Sequence, residues 1–206
     1  MKVILVNGSP HHNGCTATAL AEVARTLNEC GIETQDFWIG IKPIAGCLAC
    51  RQCCTTGECV FTDVVNLFNQ YAAQADGFVF GTPVYYAHPS GQILSFLDRV
   101  FYSGSRHLAH KPAAALASCR RGGNETSFDV LNKYFAINNM PIVTSQYWNG
   151  VHGNTPDEVR RDIEGLQTMR TLGRNMAWLL RCIEAGRNAG IDKPVLEDKT
   201  HTNFIR

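Results

Sequence analysis

No stretch of the 206 residues approaches the ~20 consecutive apolar positions that span a bilayer, so no membrane partner is expected. An excess of charge is missing as well: 19 basic against 18 acidic residues leave a formal net charge of +1. Gripping a phosphate backbone needs a concentrated basic surface, so no nucleic-acid partner is expected either. No internal repeat is visible, which excludes solenoids. With 45% hydrophobic and 18% charged residues the chain is not of a disordered class, and its length suits one domain with a full core. The opening Met1-Lys-Val-Ile-Leu-Val-Asn-Gly8 has too short an apolar stretch for a signal-peptide core, so a cytoplasmic location is expected. In that reducing compartment nine cysteines do not read as a disulfide framework.

Strand and helix signals alternate five times. Val3–Val6 is a continuous apolar run, as for a strand covered on both faces. Leu20, Val23, Ala24 and Leu27 follow at helical spacing and Gly31 ends that helix. Glu33–Ile39 reads as a second strand, and Val64 to Ala72 as a helix capped by Thr62 or Asp63. Gly77–Phe80 is a third strand, followed by the stripe Ile93, Leu94, Phe96, Leu97, Val100 and Phe101. Ala113–Ala117 and Pro141–Thr144 are the fourth and fifth strands, with a helix through Phe128, Leu131 and Phe135 between them. Thr155-Pro-Asp-Glu158 combines a capping box with proline at the first helical position, and opens one long helix to Gly186, with Gly165 and Gly173 as places where it could bend.

The pattern predicts an α/β fold: a flavodoxin-like, doubly wound, five-stranded parallel sheet in the order 2-1-3-4-5 with helices on both faces. It occupies residues 1–186, with a cysteine-rich loop at 46–60. Residues 187–206 form a polar tail, either a loose end or an arm laid on a partner subunit. Ligands of such sheets bind outside the carboxyl ends of the strands, where the strand order reverses, so the loops after the first, third and fourth strands are the places to look.

The first of these loops is Gly8-Ser-Pro-His-His-Asn-Gly-Cys-Thr16. Glycines let backbone amides turn towards an anion, and a helix N-terminus favours negative charge. The loop lacks the Gly-Lys-Ser/Thr of a Walker motif, the Gly-x-Gly-x-x-Gly of a dinucleotide fold and the Cys-x5-Arg of a tyrosine phosphatase. Together with Gly81-Thr-Pro-Val-Tyr-Tyr86 and Ser90-Gly-Gln-Ile-Leu-Ser-Phe-Leu-Asp-Arg99, it resembles the NAD(P)H-dependent FMN reductase family of flavodoxin-like proteins. The resemblance runs from Met1 to about Trp148. It implies FMN, its phosphate held by Ser9, His11, Asn13, Cys15 and Thr16. His11 stands where an arginine is common and Cys15 where an asparagine is common. Both replacements remove a strong donor.

By the same resemblance Thr82, Pro83, Val84, Tyr85 and Tyr86 face the flavin ring, with backbone amides on its polar edge and the tyrosines beside it. Ser118, Arg120, Arg121, Gly122 and Gly123 leave the fourth strand. An arginine there would stabilise the charge of a reduced flavin or hold a nicotinamide phosphate; solvated loop arginines are the plain alternative. Trp148, Asn149 and His152 follow the fifth strand and could cover the ring.

Cys47-x2-Cys50-x2-Cys53-x5-Cys59 is the most distinctive string, with Cys54 as a spare. Four thiolates at such gaps are the usual ligand set of a [4Fe–4S] cluster. Zinc more often takes two well-separated Cys-x-x-Cys pairs, and a metal-free, thiol-rich loop is the third reading. The string resembles that of the iron–sulfur flavoproteins, a branch of the same superfamily, which implies Cys47, Cys50, Cys53 and Cys59 as metal ligands.

The expected function is an FMN oxidoreductase. NADH or NADPH is its transient donor, and the acceptor a quinone, flavin, azo or nitro compound or a redox protein, reached directly or through the cluster. The cofactor carries the chemistry, so no catalytic acid or nucleophile is invoked. The alternative is a non-enzymatic flavodoxin-like, iron–sulfur electron carrier. Apolar area left on the helix from Ile93 and on the C-terminal helix predicts a homodimer or homotetramer.

Overall fold

The computed structural model describes residues 1–198, Thr200 and Thr202. Its centre is β1 (Lys2–Asn7), buried but for its first residue, with β2 (Glu33–Trp38) parallel on one side and β3 (Gly77–Tyr85) parallel on the other. β3 outlasts the four residues expected of it and folds back on β4 (His88–Pro89), a short antiparallel partner. β5 (Ala113–Cys119) and β6 (Gly150–His152) complete the parallel set in the order β2-β1-β3-β5-β6. This is the flavodoxin-like arrangement read from the sequence, with five parallel strands and helices on both faces.

Strand alternation sorts the core into two halves. Ile4, Val6, Phe78 and Phe80 face α3 (Val64–Gln74), α4 (Gly91–Leu108) and α5 (Asn124–Ile137), whose Phe68, Phe96, Leu97 and Phe135 are fully buried. Val3, Leu5, Val79 and Leu116 face α1 (Cys15–Glu29) and α7 (Ile163–Asn188). Each such side chain contributes about 1.5–3 kcal/mol on burial. A one-turn helix, α2 (Cys53–Thr56), lies within the cysteine segment, and α6 (Pro156–Arg161) precedes α7.

Two expectations are corrected. The fifth strand is not Pro141–Thr144. That stretch makes one isolated bridge, Ile142 to Ala113, then leaves the sheet edge and rejoins it as β6. Asn149 explains the gap. Its buried side-chain amide donates to Ala115 O at 3.0 Å while Ala117 N donates to Asn149 O at 3.0 Å, so a side chain replaces part of the ladder. The C-terminal helix is also two helices. The break falls at Asp162, whose carboxylate accepts from Gly165 N at 2.9 Å to cap α7 and from His152 N at 2.6 Å to hold β6. Gly165 and Gly173 both lie within α7, past the break. Gly173 lets α7 lie against α1, where a Cβ would meet Thr26 Cβ at 2.9 Å. α7 runs two residues into the expected tail, and the positions of that tail beyond 198 lie, apart from Thr200 and Thr202, outside the described residues.

Candidate functional site

The carboxyl ends of β1, β3 and β5 meet where the strand order reverses. Gly8 N donates to Gly81 O at 2.8 Å, and Thr16 Oγ1 lies 2.8 Å from Ser118 Oγ. Gly8 is closely packed: a Cβ there would stand 2.3 Å from Ile93 Cδ1. The first loop is shaped by Asn7, which the sequence reading passed over. Its Oδ1 accepts from Ser9 N at 3.0 Å, and its Nδ2 donates to the carbonyls of His11 and His12 at 3.4 and 3.2 Å. A trans peptide points its N–H opposite its C=O, so the amides of His12 and Asn13 face away from Asn7. Trp38 Nε1 donates to Ser9 O at 2.8 Å and Ser90 Oγ to Gly8 O at 3.0 Å, fixing the same loop from two further elements.

The loop delivers an uncapped helix. Gly14 offers α1 no side-chain acceptor, and no acidic residue stands in its first turn. The first intrahelical bond runs from Thr18 N to Gly14 O at 3.0 Å, so the amides of Cys15, Thr16 and Ala17 lie ahead of it at the positive end of the helix. Ser9 is buried, and its Oγ accepts from His11 N at 3.1 Å while its own O–H remains a donor. The expected phosphate residues are therefore together, but not all through their side chains. Cys15 Sγ is 3.6 Å from Gly153 O, and burial pushes its thiol pKa up, so this residue presents its amide. Thr16 is engaged with Ser118.

The two loops expected to face the ring pack on each other. Gly123, at φ +88°, would put a Cβ 2.7 Å from Ala87 Cα and 2.8 Å from Val84 Cγ1. Thr82 is buried; its hydroxyl donates to Pro83 O and accepts from Ser90 N, so it holds the start of α4. Tyr85, Tyr86, Arg120, Arg121 and Gly122 are exposed around the opening, with Tyr86 in the left-handed region at φ 48°. Of the residues after the edge strand, Asn149 is occupied by the sheet, Trp148 lies 5.9 Å from the Phe128 ring, and His152 is held to Asp162. A clustered set of outward amides with one free hydroxyl fits the phosphate of FMN, and the two exposed tyrosines border the space beyond it.

The cysteine segment lies against α4. Cys47, Cys50, Cys53, Cys54 and Cys59 line one cavity of about 210 Å³ together with Arg99, Tyr102 and Ser103. All are free thiols. Burial, followed by the neighbouring Cys54, pushes the Cys53 thiol up. Among the described residues no three His, Cys, Asp or Glu side chains are arranged to hold a metal ion as they stand. Four thiolates are a set that an iron–sulfur centre accepts, and the exposed side chains of Cys47 and Cys50 are not fixed by packing. Arg99, another residue outside the sequence reading of the site, is 1% exposed. Its signal was a lone charge on the apolar stripe of α4.

A family model described as NADPH-dependent FMN reductase matches residues 1–155. The chain belongs to this family. It is similar to an iron-sulfur flavoprotein of Methanocaldococcus jannaschii, 32% identical over 197 residues, covering 89% of this chain and 100% of that protein. It is similar too to an FMN reductase (NADPH) of Pseudomonas putida, 30% identical over 118 residues, covering 57% of this chain and 54% of that one. Among solved structures, RosB with a bound flavin intermediate shares the fold at TM-score 0.71 and 15% identity, covering 100% of this chain and 94% of that one. An NAD(P)H:quinone oxidoreductase from Methanothermobacter marburgensis does so at TM-score 0.64 and 18% identity, covering 85% and 96%. Among the described residues no helix is long and apolar enough to cross a membrane.

Proposed function

We propose that the chain is an FMN-dependent oxidoreductase that takes electrons from NADH or NADPH and passes them to a small acceptor or a redox protein. The observation that carries this reading is the uncapped N-terminus of α1, whose free amides lie beside Ser9 at the switch point of the sheet. FMN supplies the hydride and electron chemistry when bound. The chain's part is to hold the phosphate on residues 8–17 and to present the ring between the loops at 83–87 and 118–123. Cys47, Cys50, Cys53 and Cys59 are the proposed ligands of a [4Fe–4S] centre, supported by their shared cavity and by the name of the relative that this chain covers over its full length. Exposed Tyr102, Ile163 and Trp178 on α4 and α7 support a homodimer or homotetramer, and the cytoplasm is the proposed compartment.

The test is the visible spectrum of protein purified without oxygen, followed by FMN titration and steady-state assay with each nicotinamide. Two resolved flavin bands, saturable FMN binding and nicotinamide oxidation are expected. A colourless protein that takes up no FMN sinks the reading. The exposure of Cys50 and Cys54 favours a second reading, a non-enzymatic carrier whose centre a protein partner can reach. That reading holds if FMN and iron are bound but neither nicotinamide is oxidised.

A further inference from the structure

We infer that Arg99 is a positioning residue for the cysteine cavity: from α4 it fixes Cys59 and sets the reduction potential of the centre held there. This rests on the proposed iron–sulfur reading of the cysteines. Arg99 is a guanidinium in a core position, and its donors are used in an unusual way. Nη1 and Nη2 donate to the two carboxylate oxygens of Asp63 at 2.7 and 2.8 Å, and Nη1 also reaches Ala45 O at 3.3 Å. The remaining direction, Nε–H, points at sulfur: it lies 3.2 Å from Cys59 Sγ. The guanidinium carbon stands 4.7 Å from the centre of the Phe61 ring, which closes its other side.

The arrangement does two things. It ties Ala45, ahead of the first cysteine, to Cys59 and Asp63 at the far end, so one side chain clamps the segment between them. It also places a cation with a directed N–H against one thiol. An arginine is not deprotonated in a protein, and Asp63 pairs its charge through both carboxylate oxygens. A thiolate-ligated iron–sulfur centre gains one unit of negative charge on one-electron reduction, shared with its sulfurs. An N–H donor and a fixed positive charge at a ligand sulfur favour the reduced form and raise the potential.

Arg106, two turns along the same helix, supplies the control. It pins the same segment, donating to Gly57 O at 3.0 Å and to Ser103 O at 2.9 Å, but none of its hydrogen bonds goes to a sulfur. The experiment is a redox titration followed by electron paramagnetic resonance on anaerobically purified wild type, Arg99→Met and Arg106→Met, with iron and sulfide content measured on each. Arg99→Met is expected to lower the midpoint by at least a tenfold change in the reduced-to-oxidised ratio, about 59 mV for one electron, while Arg106→Met leaves it in place. An unchanged midpoint in Arg99→Met, or equal shifts in both variants, overturns the inference. Absence of iron from the wild type overturns the cluster reading beneath it, which is a separate result. Should Arg99→Met not fold, Arg99→Lys is read in its place. A lysine keeps charge but cannot serve Asp63 and Cys59 together, so a smaller fall is expected, and no fall overturns the inference.

Discussion

Thr16 Oγ1 and Ser118 Oγ lie 2.8 Å apart, a buried hydroxyl pair that joins the first turn of α1 to the end of β5. Ser118→Ala leaves the buried Thr16 hydroxyl without its partner, which costs about 1–3 kcal/mol. Removing both, as Thr16→Val with Ser118→Ala, is expected to restore most of the stability. Thermal melts of the two single variants and the double variant measure this coupling. Flavin fluorescence titration should show weaker FMN binding in the single variants. Additive losses of stability would mean that the two hydroxyls do not act as a pair.

Gly123→Ala combines a left-handed backbone at φ +88° with a Cβ 2.7 Å from Ala87 Cα. The conformation alone costs about 1–2 kcal/mol, and backbone must move to relieve the contact. The segment that moves is the one proposed to border the ring, so FMN affinity should fall by more than tenfold. Gly122→Ala is the comparison, since nothing lies within 4 Å of its added Cβ. Equal affinities in the two variants would remove Gly123 from the site.

The strands and loops were legible in the sequence because their signals are local. Val3–Val6 is apolar on both faces, and Gly8, Gly81 and Gly123 mark loops where chains approach closely. The fifth strand was not legible because Asn149 substitutes a side-chain amide for ladder bonds, and that is visible only once Ala115 is beside it. The split at Asp162 was hidden by a helical period that runs through it; its cap on Gly165 and its bond to His152 depend on β6 being near. The cysteine spacing pointed to thiols that could share one centre, and the structure puts them around one cavity. The cation that faces it, Arg99, comes from a helix 40 residues on from Cys59.

Stability in acid should depend on Glu22. Arg25 and Arg170 hold its carboxyl below the ordinary value of 4.5, against the opposing effect of burial, and the Arg170 contact at 2.7 Å joins α1 to α7. A carboxyl whose pKa is lower folded than unfolded stabilises the fold above its unfolded value and loses that contribution as pH falls through the folded one. Glu22→Gln should therefore cost about 1 kcal/mol at pH 7 and nothing once the wild-type carboxyl is protonated. Denaturant melts of the two proteins should differ at pH 7 and draw together as pH is lowered through the pKa of the folded carboxyl. A constant gap between them would assign the effect to packing.

Asn7 tests the phosphate cradle without touching the ring. It bonds Ser9, His11 and His12 from the buried end of β1, so the outward amides of the loop depend on it. Riboflavin lacks the phosphate and reports the ring contacts alone. A hydrogen bond to a charged group is worth about 1.5–3 kcal/mol, so misaimed amides should weaken FMN by roughly 10- to 100-fold in Asn7→Ala and leave riboflavin nearly unchanged. Asn7→Asp keeps the acceptor for Ser9 N, loses the two donors and adds a negative charge near the anion, so it should bind FMN more weakly still. If FMN and riboflavin weaken together in Asn7→Ala, the residue supports the whole sheet end, and the phosphate must be held elsewhere.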